Sequence, residues 1–259
     1  MTQITSYTVT ASHPLPLEGA GNVRDLGGYP VGNLGAETRT SPSVFLRADA
    51  LAELTENDIE ILKSHRLTTV IDLRSSFEIQ AKPDPFGAGS PHPEIREEQI
   101  TLLDQMNSSS FATGLPSSMA ELYISLLDKQ AKELGRVVTM LADAPGCALF
   151  HCSAGKDRTG VVAMLLLKAA DVPDAAIVAD YAATERYMGE RFSRQRAELE
   201  RAGITVPDAM FASKPQSMEQ ALEHLASSYG SVERYLTEYA DCPRKSIDVI
   251  KAKLLGGNL

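Results

Sequence analysis

The chain has 259 residues, of which 43% are hydrophobic, and its formal net charge is −9 at pH 7. This size and apolar content suit one α/β domain with a full core, and the acidic charge argues against a nucleic-acid partner. No run of 18 apolar residues occurs, so no integral membrane segment is expected. Three cysteines without a pairing pattern and residues 1–10 without signal-peptide features together predict a cytoplasmic protein.

The first half of the chain predicts short strands separated by loops. A helix is expected where Thr55 and Asp58 are spaced as a capping box. Arg24 and Asp25 are interpreted as parts of a structural turn, with a place near a functional site as the alternative. The expected elements are an extended arm (1–17), a turn entering a hairpin (22–29), a strand (43–47), a helix (55–65), a central parallel strand (68–73), a surface loop (82–93) and a strand (98–103).

The second half is predicted to be mostly helical. Gly135 is expected to break the first of these helices, and Pro173 to open a long one at its first turn. The expected elements are a loop (105–117), a helix (121–141), a buried strand (147–150), helices (161–170 and 174–202), a loop (203–215), two helices (218–226 and 231–239) and a frayed tail (251–259).

A polar loop, His-Cys-Ser-Ala-Gly-Lys-Asp-Arg-Thr-Gly from His151 to Gly160, connects the buried strand to the following helix. It therefore lies at a helix N-terminus, where unsatisfied N–H groups and the helix dipole favour an anion. Arg158 follows Cys152 by six positions, so a curled loop brings the guanidinium back to clamp a tetrahedral oxyanion. The same surroundings favour a thiolate, which makes Cys152 a candidate nucleophile.

Each loop residue has an expected role. The oxyanion would be bound by the loop N–H groups and the guanidinium, that is by Ser153, Ala154, Gly155, Lys156 and Arg158. Thr159 would offer its hydroxyl to the thiolate, and His151 would fix the loop through its ring nitrogens. Lys156 is expected at the rim, as a second cation for a neighbouring phosphate. No metal or other cofactor is expected, because Arg158 and the backbone neutralise the charge.

Two other interpretations of the loop are weaker. A buried structural cysteine beside a surface arginine would not explain the whole motif. A nucleotide-binding P-loop fails because Phe150 stands where its first glycine belongs, and Asp157 stands where it needs Ser or Thr.

Asp72 ends the central strand, at the edge where ligands bind in open α/β sheets. It could hold Arg158 or a loop N–H, or it could be a turn carboxylate, and the sequence leaves both open. The general acid has four candidates. Asp157 lies at the rim of the loop, Asp104 ends a predicted strand, and Asp72 and Asp84 are the remaining two.

The loop resembles the signature of the bacterial tyrosine and lipid phosphatases of the mycobacterial protein tyrosine phosphatase B type, and its lysine is similar to that of phosphoinositide 3-phosphatases. The resemblance spans about residues 18–240 through the stretches 22–29, 46–49, 71–74 and 229–236. It implies a central, mostly parallel sheet wrapped by helices, a helical lid at about 174–215, and Asp157 as the general acid. The family includes proteins that are exported without a signal peptide.

The sequence therefore predicts a metal-independent cysteine phosphatase, with all 259 residues forming one phosphatase domain. The expected substrate is a phosphorylated protein, chiefly phosphotyrosine with phosphoserine and phosphothreonine as further options, or a phosphoinositide. The alternatives are another thiol enzyme with the same Cys-x5-Arg loop, such as a sulfurtransferase or arsenate reductase, or a non-catalytic module that binds phosphorylated ligands. Nothing in the sequence indicates an oligomeric state.

Overall fold

The computed structural model describes residues 12–32, 38–87, 89–103, 118–201, 203 and 207–257. Within these residues five strands form one sheet in the order β1-β2-β5-β3-β4, and only β1 is antiparallel to its neighbour. The strands are β1 Arg24–Asp25, β2 Phe45–Ala48, β3 Leu67–Asp72, β4 Arg96–Gln99 and β5 Cys147–His151. The predicted α/β class with a mostly parallel sheet is confirmed.

Helices cover both faces of this sheet. They are α1 Glu56–Ser64, α2 Ser76–Ala81, α3 Met119–Lys129, α4 Ala131–Asp143, α5 Asp157–Ala169, α6 Asp174–Arg201, α7 Pro215–Tyr229, the single turn α8 Val232–Arg234 and α9 Arg244–Leu254. A 3₁₀ turn at Asp208–Phe211 precedes α7, and a π-helical turn at Tyr235–Tyr239 follows α8. None of the described helices is both long enough and apolar enough to cross a membrane.

The central strand β5 explains where a site can form. All five of its residues are buried, and it lies between β2 and β3 with His151 opposite both Ala48 and Asp72. Because these three strands are parallel, their carboxyl ends meet at one edge of the sheet. The polar loop that follows His151 is therefore surrounded by the segments that follow β2 and β3.

The capped helix is confirmed as α1, where the Thr55 hydroxyl accepts from the Asp58 amide and the Asp58 carboxylate accepts from the Thr55 amide. Other boundaries differ from the expectations. The helix after the polar loop begins at Asp157 rather than at 161, the strand expected at 98–103 ends at Gln99, and residues 251–254 are the last turn of α9. The loop expected at 105–117 lies outside the described residues.

The break in the predicted helix 121–141 falls at Gln130, not at Gly135. Gln130 leaves helical geometry with φ −125° and caps α3 through its N–H to the Leu126 carbonyl. Gly135 lies inside α4 for a packing reason, since a Cβ there would lie 1.9 Å from the Ala240 carbonyl oxygen. The glycine therefore permits close approach of two segments and does not end the helix.

We predict that Gly135→Ala destabilises the fold by roughly 1–3 kcal/mol, because α4 must move away from Ala240. Helix propensity alone would give the opposite sign. Gly189→Ala in α6 is the matched control, since an added Cβ there meets no described atom within 4 Å, and it should stabilise by about 0.5–1 kcal/mol. Urea denaturation measures both, and equal effects of the two substitutions would contradict the packing explanation.

Candidate active site

The polar loop forms a cup between β5 and α5. Cys152 follows the last residue of β5 and is 2% exposed, and Asp157 begins α5. The second half of the loop is thus the first turn of a helix that is almost entirely buried. Its unsatisfied N–H groups and dipole face the end of the sheet, which is the environment expected for an anion site.

The carbonyl groups of the cup are hydrogen-bonded from outside. Asn22 Nδ2 donates to the carbonyls of Ala154 (3.1 Å) and Gly155 (3.2 Å), and Arg47 Nη2 donates to that of Gly155 (2.7 Å). In a trans peptide the N–H points opposite to the C=O of the preceding residue. The N–H groups of Gly155 and Lys156 therefore face away from these outer donors, toward the inside of the cup.

The end of β2 forms one wall of the cup. Gly155 has φ +63°, and a Cβ there would lie 2.5 Å from the Ala48 carbonyl oxygen, so no other residue fits without displacing β2. Two residues after Ala48, the Ala50 amide donates a hydrogen bond of 3.1 Å to the Ser153 carbonyl. These contacts fix the curvature of the loop independently of any ligand.

The three cysteines differ in their ionisation. Burial raises the pKa of Cys147 to about 12 and also raises that of Cys242. Burial opposes ionisation of Cys152 too, but the charge of Arg158 and the hydroxyl and amide of Thr159 outweigh it and bring the Cys152 pKa below its ordinary value. Thr159 Oγ1 is buried and has no other hydrogen-bond partner among the described residues. Cys152 is the cysteine that the structure favours as a thiolate.

Arg158 is oriented by Glu78, a residue to which the sequence analysis gave no role. Arg158 Nη1 and Nη2 each lie 2.7 Å from a Glu78 carboxylate oxygen, and Ser153 Oγ donates to Glu78 Oε1 at 2.5 Å. Burial opposes the charge of Glu78, yet the bonds from Arg158 and Ser153 lower its pKa to about 2. The spacing of Ser75 and Glu78 as a capping box could have been recognised in the sequence. That pattern indicates a helix N-terminus and does not indicate a contact with Arg158.

Asp157 lies at the partly exposed end of the cup, with 22% of its side chain accessible. Tyr123 donates a hydrogen bond of 2.6 Å to Asp157 Oδ1, and the Tyr123 hydroxyl also lies 2.6 Å from that of Tyr181. Burial and the neighbouring carboxylate raise the pKa of Tyr123 well above its usual value, so this phenol remains a donor. Tyr123 thus holds the carboxylate in a position that is partly open to solvent.

Lys156 is not the rim cation that the sequence predicted. The residue is fully buried, and Nζ donates to the carbonyl oxygens of Met210 at 2.6 Å and Ala212 at 3.1 Å. Its ammonium also lies 3.6 Å from Asp157 Oδ1. The reason is tertiary: Met210 and Ala212, in the described stretch just before α7, place their carbonyls where the Lys156 side chain ends.

Two of the four candidate acids have other partners. Asp72 does not hold Arg158, because its carboxylate accepts from the amide and guanidinium of Arg74 at 2.7–3.0 Å. Asp84 has a fully buried side chain and lies 2.8 Å from Arg74 Nη2. Both carboxylates are buried and paired with Arg74, which disfavours them as proton donors to a leaving group. Asp104 lies outside the described residues.

Asp72, Asp84 and His151 form a cluster whose potential ligand atoms lie within 4.8 Å of one another. The chemistry would suit a cation, but Arg74 Nη2 already lies 2.7 Å from Asp72 and 2.8 Å from Asp84. The guanidinium occupies the position between the carboxylates and supplies the positive charge there. We therefore treat this cluster as an ion-pair network.

The tyrosine phosphatase family model matches residues 15–256. The chain is similar to a tyrosine-protein phosphatase of Nostoc commune, with 31% identity over 212 residues that cover 77% of this chain and 70% of the relative. It is also similar to the triple specificity protein phosphatase PtpB of Mycobacterium tuberculosis, with 27% identity across 93% of this chain and 98% of the relative.

The chain belongs to the tyrosine phosphatase family. Its members are phosphoric monoester hydrolases, and the resemblance drawn from the sequence is confirmed.

In this tyrosine phosphatase, a buried ion cluster connects the cup to α6. Asp180 of α6 pairs with both Arg24 and Arg47, and Tyr29 donates to it at 2.7 Å. Burial raises the pKa of Asp180, but Arg47 and Arg24 outweigh it and keep the pKa below its usual value. The sequence analysis interpreted Arg24 as structural and gave Asp180 no role, because an aspartate in a charged helix carries no signal of burial.

We predict that Glu78→Gln destabilises this phosphatase by about 1–3 kcal/mol at pH 7, since Arg158 loses its paired charge. The pKa of folded-state Glu78, about 2, lies below its ordinary 4.5. Its contribution is therefore complete above about pH 4.5 and is lost as the pH falls toward 2. Denaturation of both proteins from pH 2 to pH 7 measures this, and a pH-independent difference would contradict it. Glu60→Gln, on the exposed face of α1, should change stability by less than about 0.5 kcal/mol.

Proposed function

We propose that the chain hydrolyses phosphomonoesters through a cysteinyl-phosphate intermediate, with phosphotyrosine as its principal substrate. The observation that carries this proposal is that Arg158 and Thr159 lower the pKa of Cys152, whereas burial raises the pKa of the other two cysteines. A thiolate at the base of a cup of N–H groups is suited to attack phosphorus in line with the leaving group. Family membership favours this chemistry over a sulfurtransferase, an arsenate reductase or a binding module.

In the first step the Cys152 thiolate forms the S–P bond while the P–O bond to the leaving group breaks. Arg158 and the N–H groups of residues 153–158 bind the equatorial oxygens and stabilise the charge of the transition state. Asp157 gives its proton to the leaving oxygen. Tyr123 donates to Asp157 Oδ1, which leaves Oδ2 to carry the proton.

In the second step a water molecule attacks phosphorus. Asp157, now deprotonated, takes the proton from this water, the S–P bond breaks and Cys152 leaves as a thiolate. Inorganic phosphate then departs, and the enzyme is regenerated. No metal or other cofactor takes part, because Arg158 and the backbone supply the positive charge.

We also propose that all 259 residues form one phosphatase domain, with the region 174–215 as a lid. The apolar side chains of this region pack onto Ala154 of the cup as one cluster, Met188, Phe192 and Phe211. Lys156 adds its bonds to the carbonyls of Met210 and Ala212. Opening of the part of the lid that contacts Ala154 and Lys156 would expose the cup and release Lys156, whose ammonium could then face a second phosphate. Asp180, in the first half of α6, would stay paired with Arg24 and Arg47.

The same opening bears on the wider substrate range. Phosphoserine, phosphothreonine and phosphoinositides carry the same phosphoryl group, and the relative named for triple specificity is similar along most of its length. A multiply phosphorylated lipid would gain from Lys156 only when the lid is open. We therefore place phosphoinositides behind phosphotyrosine as substrates.

We also propose a cytoplasmic location, which rests on the three cysteines without a pairing pattern.

Cys152→Ser is expected to lower turnover of p-nitrophenyl phosphate and of a phosphotyrosine peptide to below about a hundredth of the wild-type rate. Phosphate binding should survive, because the N–H groups and Arg158 do not depend on sulfur. Cys242→Ser is the matched control and should keep its activity, since Cys242 is held as a thiol. Steady-state kinetics and calorimetric phosphate titration provide the measurements, and a fully active Cys152→Ser enzyme would refute the proposed function.

Asp157→Asn is expected to slow hydrolysis of phenyl phosphate by about 10²–10⁴-fold, because this poor leaving group needs a proton. Hydrolysis of p-nitrophenyl phosphate should be slowed far less. Rates of both substrates, measured across pH, give the leaving-group dependence. If Asp157→Asn slows the two substrates equally while Asp104→Asn shows the dependence, the acid is Asp104.

A further inference from the structure

Two buried tyrosines lie in a row behind Asp157. Tyr123 of α3 and Tyr181 of α6 are 0% and 1% exposed, and their rings pack edge to face with centroids 5.6 Å apart. The Tyr123 hydroxyl lies 2.6 Å from Asp157 Oδ1 and 2.6 Å from the Tyr181 hydroxyl. Since Asp157 begins α5, side chains from three separate helices meet in one row of oxygen atoms.

The hydrogen bonds along this row have one direction. A phenol has a single hydrogen, and an ionised carboxylate can only accept hydrogen bonds. The Tyr123 hydrogen therefore goes to Asp157 Oδ1, and the Tyr123 oxygen accepts the hydrogen of Tyr181. Burial and the charge of Asp157 raise the pKa of both phenols, so both keep their hydrogens at neutral pH.

This direction decides which oxygen of Asp157 carries a proton. The Lys156 ammonium also lies 3.6 Å from Oδ1, so a proton on that oxygen would meet two groups that offer hydrogens of their own. A proton on Oδ2 meets neither of them and leaves Oδ1 as the acceptor for Tyr123. The neutral acid therefore holds its proton on Oδ2.

The tyrosine rings are held by packing that needs no ligand. Gly160 follows Asp157 by three residues in α5, and a Cβ there would lie 3.3 Å from Tyr181 Cδ2, so the missing side chain lets α5 approach the ring. Tyr181 also directly follows Asp180, whose ion pairs with Arg24 and Arg47 hold the first half of α6. The row is therefore in place before a substrate binds.

We propose that Tyr123, with Tyr181 behind it, is a positioning residue that fixes the Asp157 carboxyl so that Oδ2 delivers the proton to the leaving oxygen. The role rests on the proposed function, in which Asp157 is the general acid. The proton passes from Oδ2 to the leaving oxygen as the P–O bond breaks, and the leaving group departs as a neutral alcohol or phenol. Tyr123 acts on this step only through Asp157.

This role makes Tyr123 a determinant of substrate range. Proton donation matters most when the leaving oxygen is strongly basic, as in the alkyl esters phosphoserine and inositol phosphate, and least for p-nitrophenolate. Loss of the Tyr123 hydroxyl should therefore restrict the enzyme to activated aryl phosphates.

Tyr123→Phe, which removes only the hydroxyl, provides the test. We expect kcat/KM for phenyl phosphate to fall by roughly 10-fold to 100-fold, and that for p-nitrophenyl phosphate by less than about threefold. The inhibition constant of inorganic phosphate should stay unchanged, because the N–H groups of the cup and Arg158 are untouched. Tyr181→Phe should show the same leaving-group dependence with a smaller loss, since Tyr123 keeps its hydrogen for Asp157.

Tyr235→Phe is the matched control. Tyr235 is equally buried, and its hydroxyl donates to the Leu127 carbonyl at 2.9 Å rather than to Asp157. The substitution removes a buried hydrogen bond of the same kind, so it should lower stability without changing the ratio of the two kcat/KM values. A ratio in Tyr123→Phe equal to that of Tyr235→Phe would overturn the proposal.

A double variant tests whether the effect passes through Asp157. In the Asp157→Asn background, Tyr123→Phe should change kcat/KM for phenyl phosphate by less than about twofold, because the carboxyl that it positions is gone. An equal loss in both backgrounds would mean that Tyr123 acts independently of the acid, and the proposal would be wrong.

The outcomes separate this role from the proposed function. If Asp157→Asn shows the leaving-group dependence and Tyr123→Phe does not, only the role of Tyr123 fails. If Asp157→Asn shows none, the assignment of the acid fails and the role of Tyr123 fails with it. If Tyr123→Phe does not fold, proton NMR decides: the Tyr123 hydroxyl proton should resonate downfield in the wild type and move upfield in Asp157→Asn, and an unmoved resonance would overturn the proposal.

Discussion

The site depends on the hydrogen bonds that hold the carbonyl groups of the cup pointing outward. A loop of free peptide units would turn its carbonyls and amides either way, and a carbonyl facing a phosphate would repel it. Asn22 and Arg47 each donate to the Gly155 carbonyl, and Asn22 also donates to Ala154. These donors hold the peptide planes before any ligand arrives, so binding an oxyanion needs little rearrangement.

The donors are themselves held by buried charges. Arg47 is fixed by Asp180 of α6, which also pairs with Arg24. Buried ion pairs contribute little net stability compared with apolar packing, but loss of one partner leaves an uncompensated charge and is costly. Their value here is geometric, since a guanidinium paired on one side can direct its remaining N–H group to the cup. Glu78 likewise orients Arg158.

Several elements were predictable because their signals are local. The buried strand before the cup and the capping box of α1 follow from residues close together in sequence. The mostly parallel sheet was implied by the family resemblance. Boundaries were less predictable where packing decided them. Gly135 looked like a helix breaker, yet it lies inside α4 because the Ala240 carbonyl lies against it.

The sequence by itself determined the reactive loop, since Cys152 follows β5 directly and Arg158 lies in the first turn of α5, so that their short spacing brings them together. Only the tertiary structure decided what supports the loop. Asn22 is 132 residues from Ala154, and Glu78 is 80 residues from Arg158. No periodicity or spacing records such pairs, because they form when parallel strands bring distant loops to one edge of the sheet. The same packing explains why Lys156 lies in the interior and not at the rim, where the sequence analysis expected it.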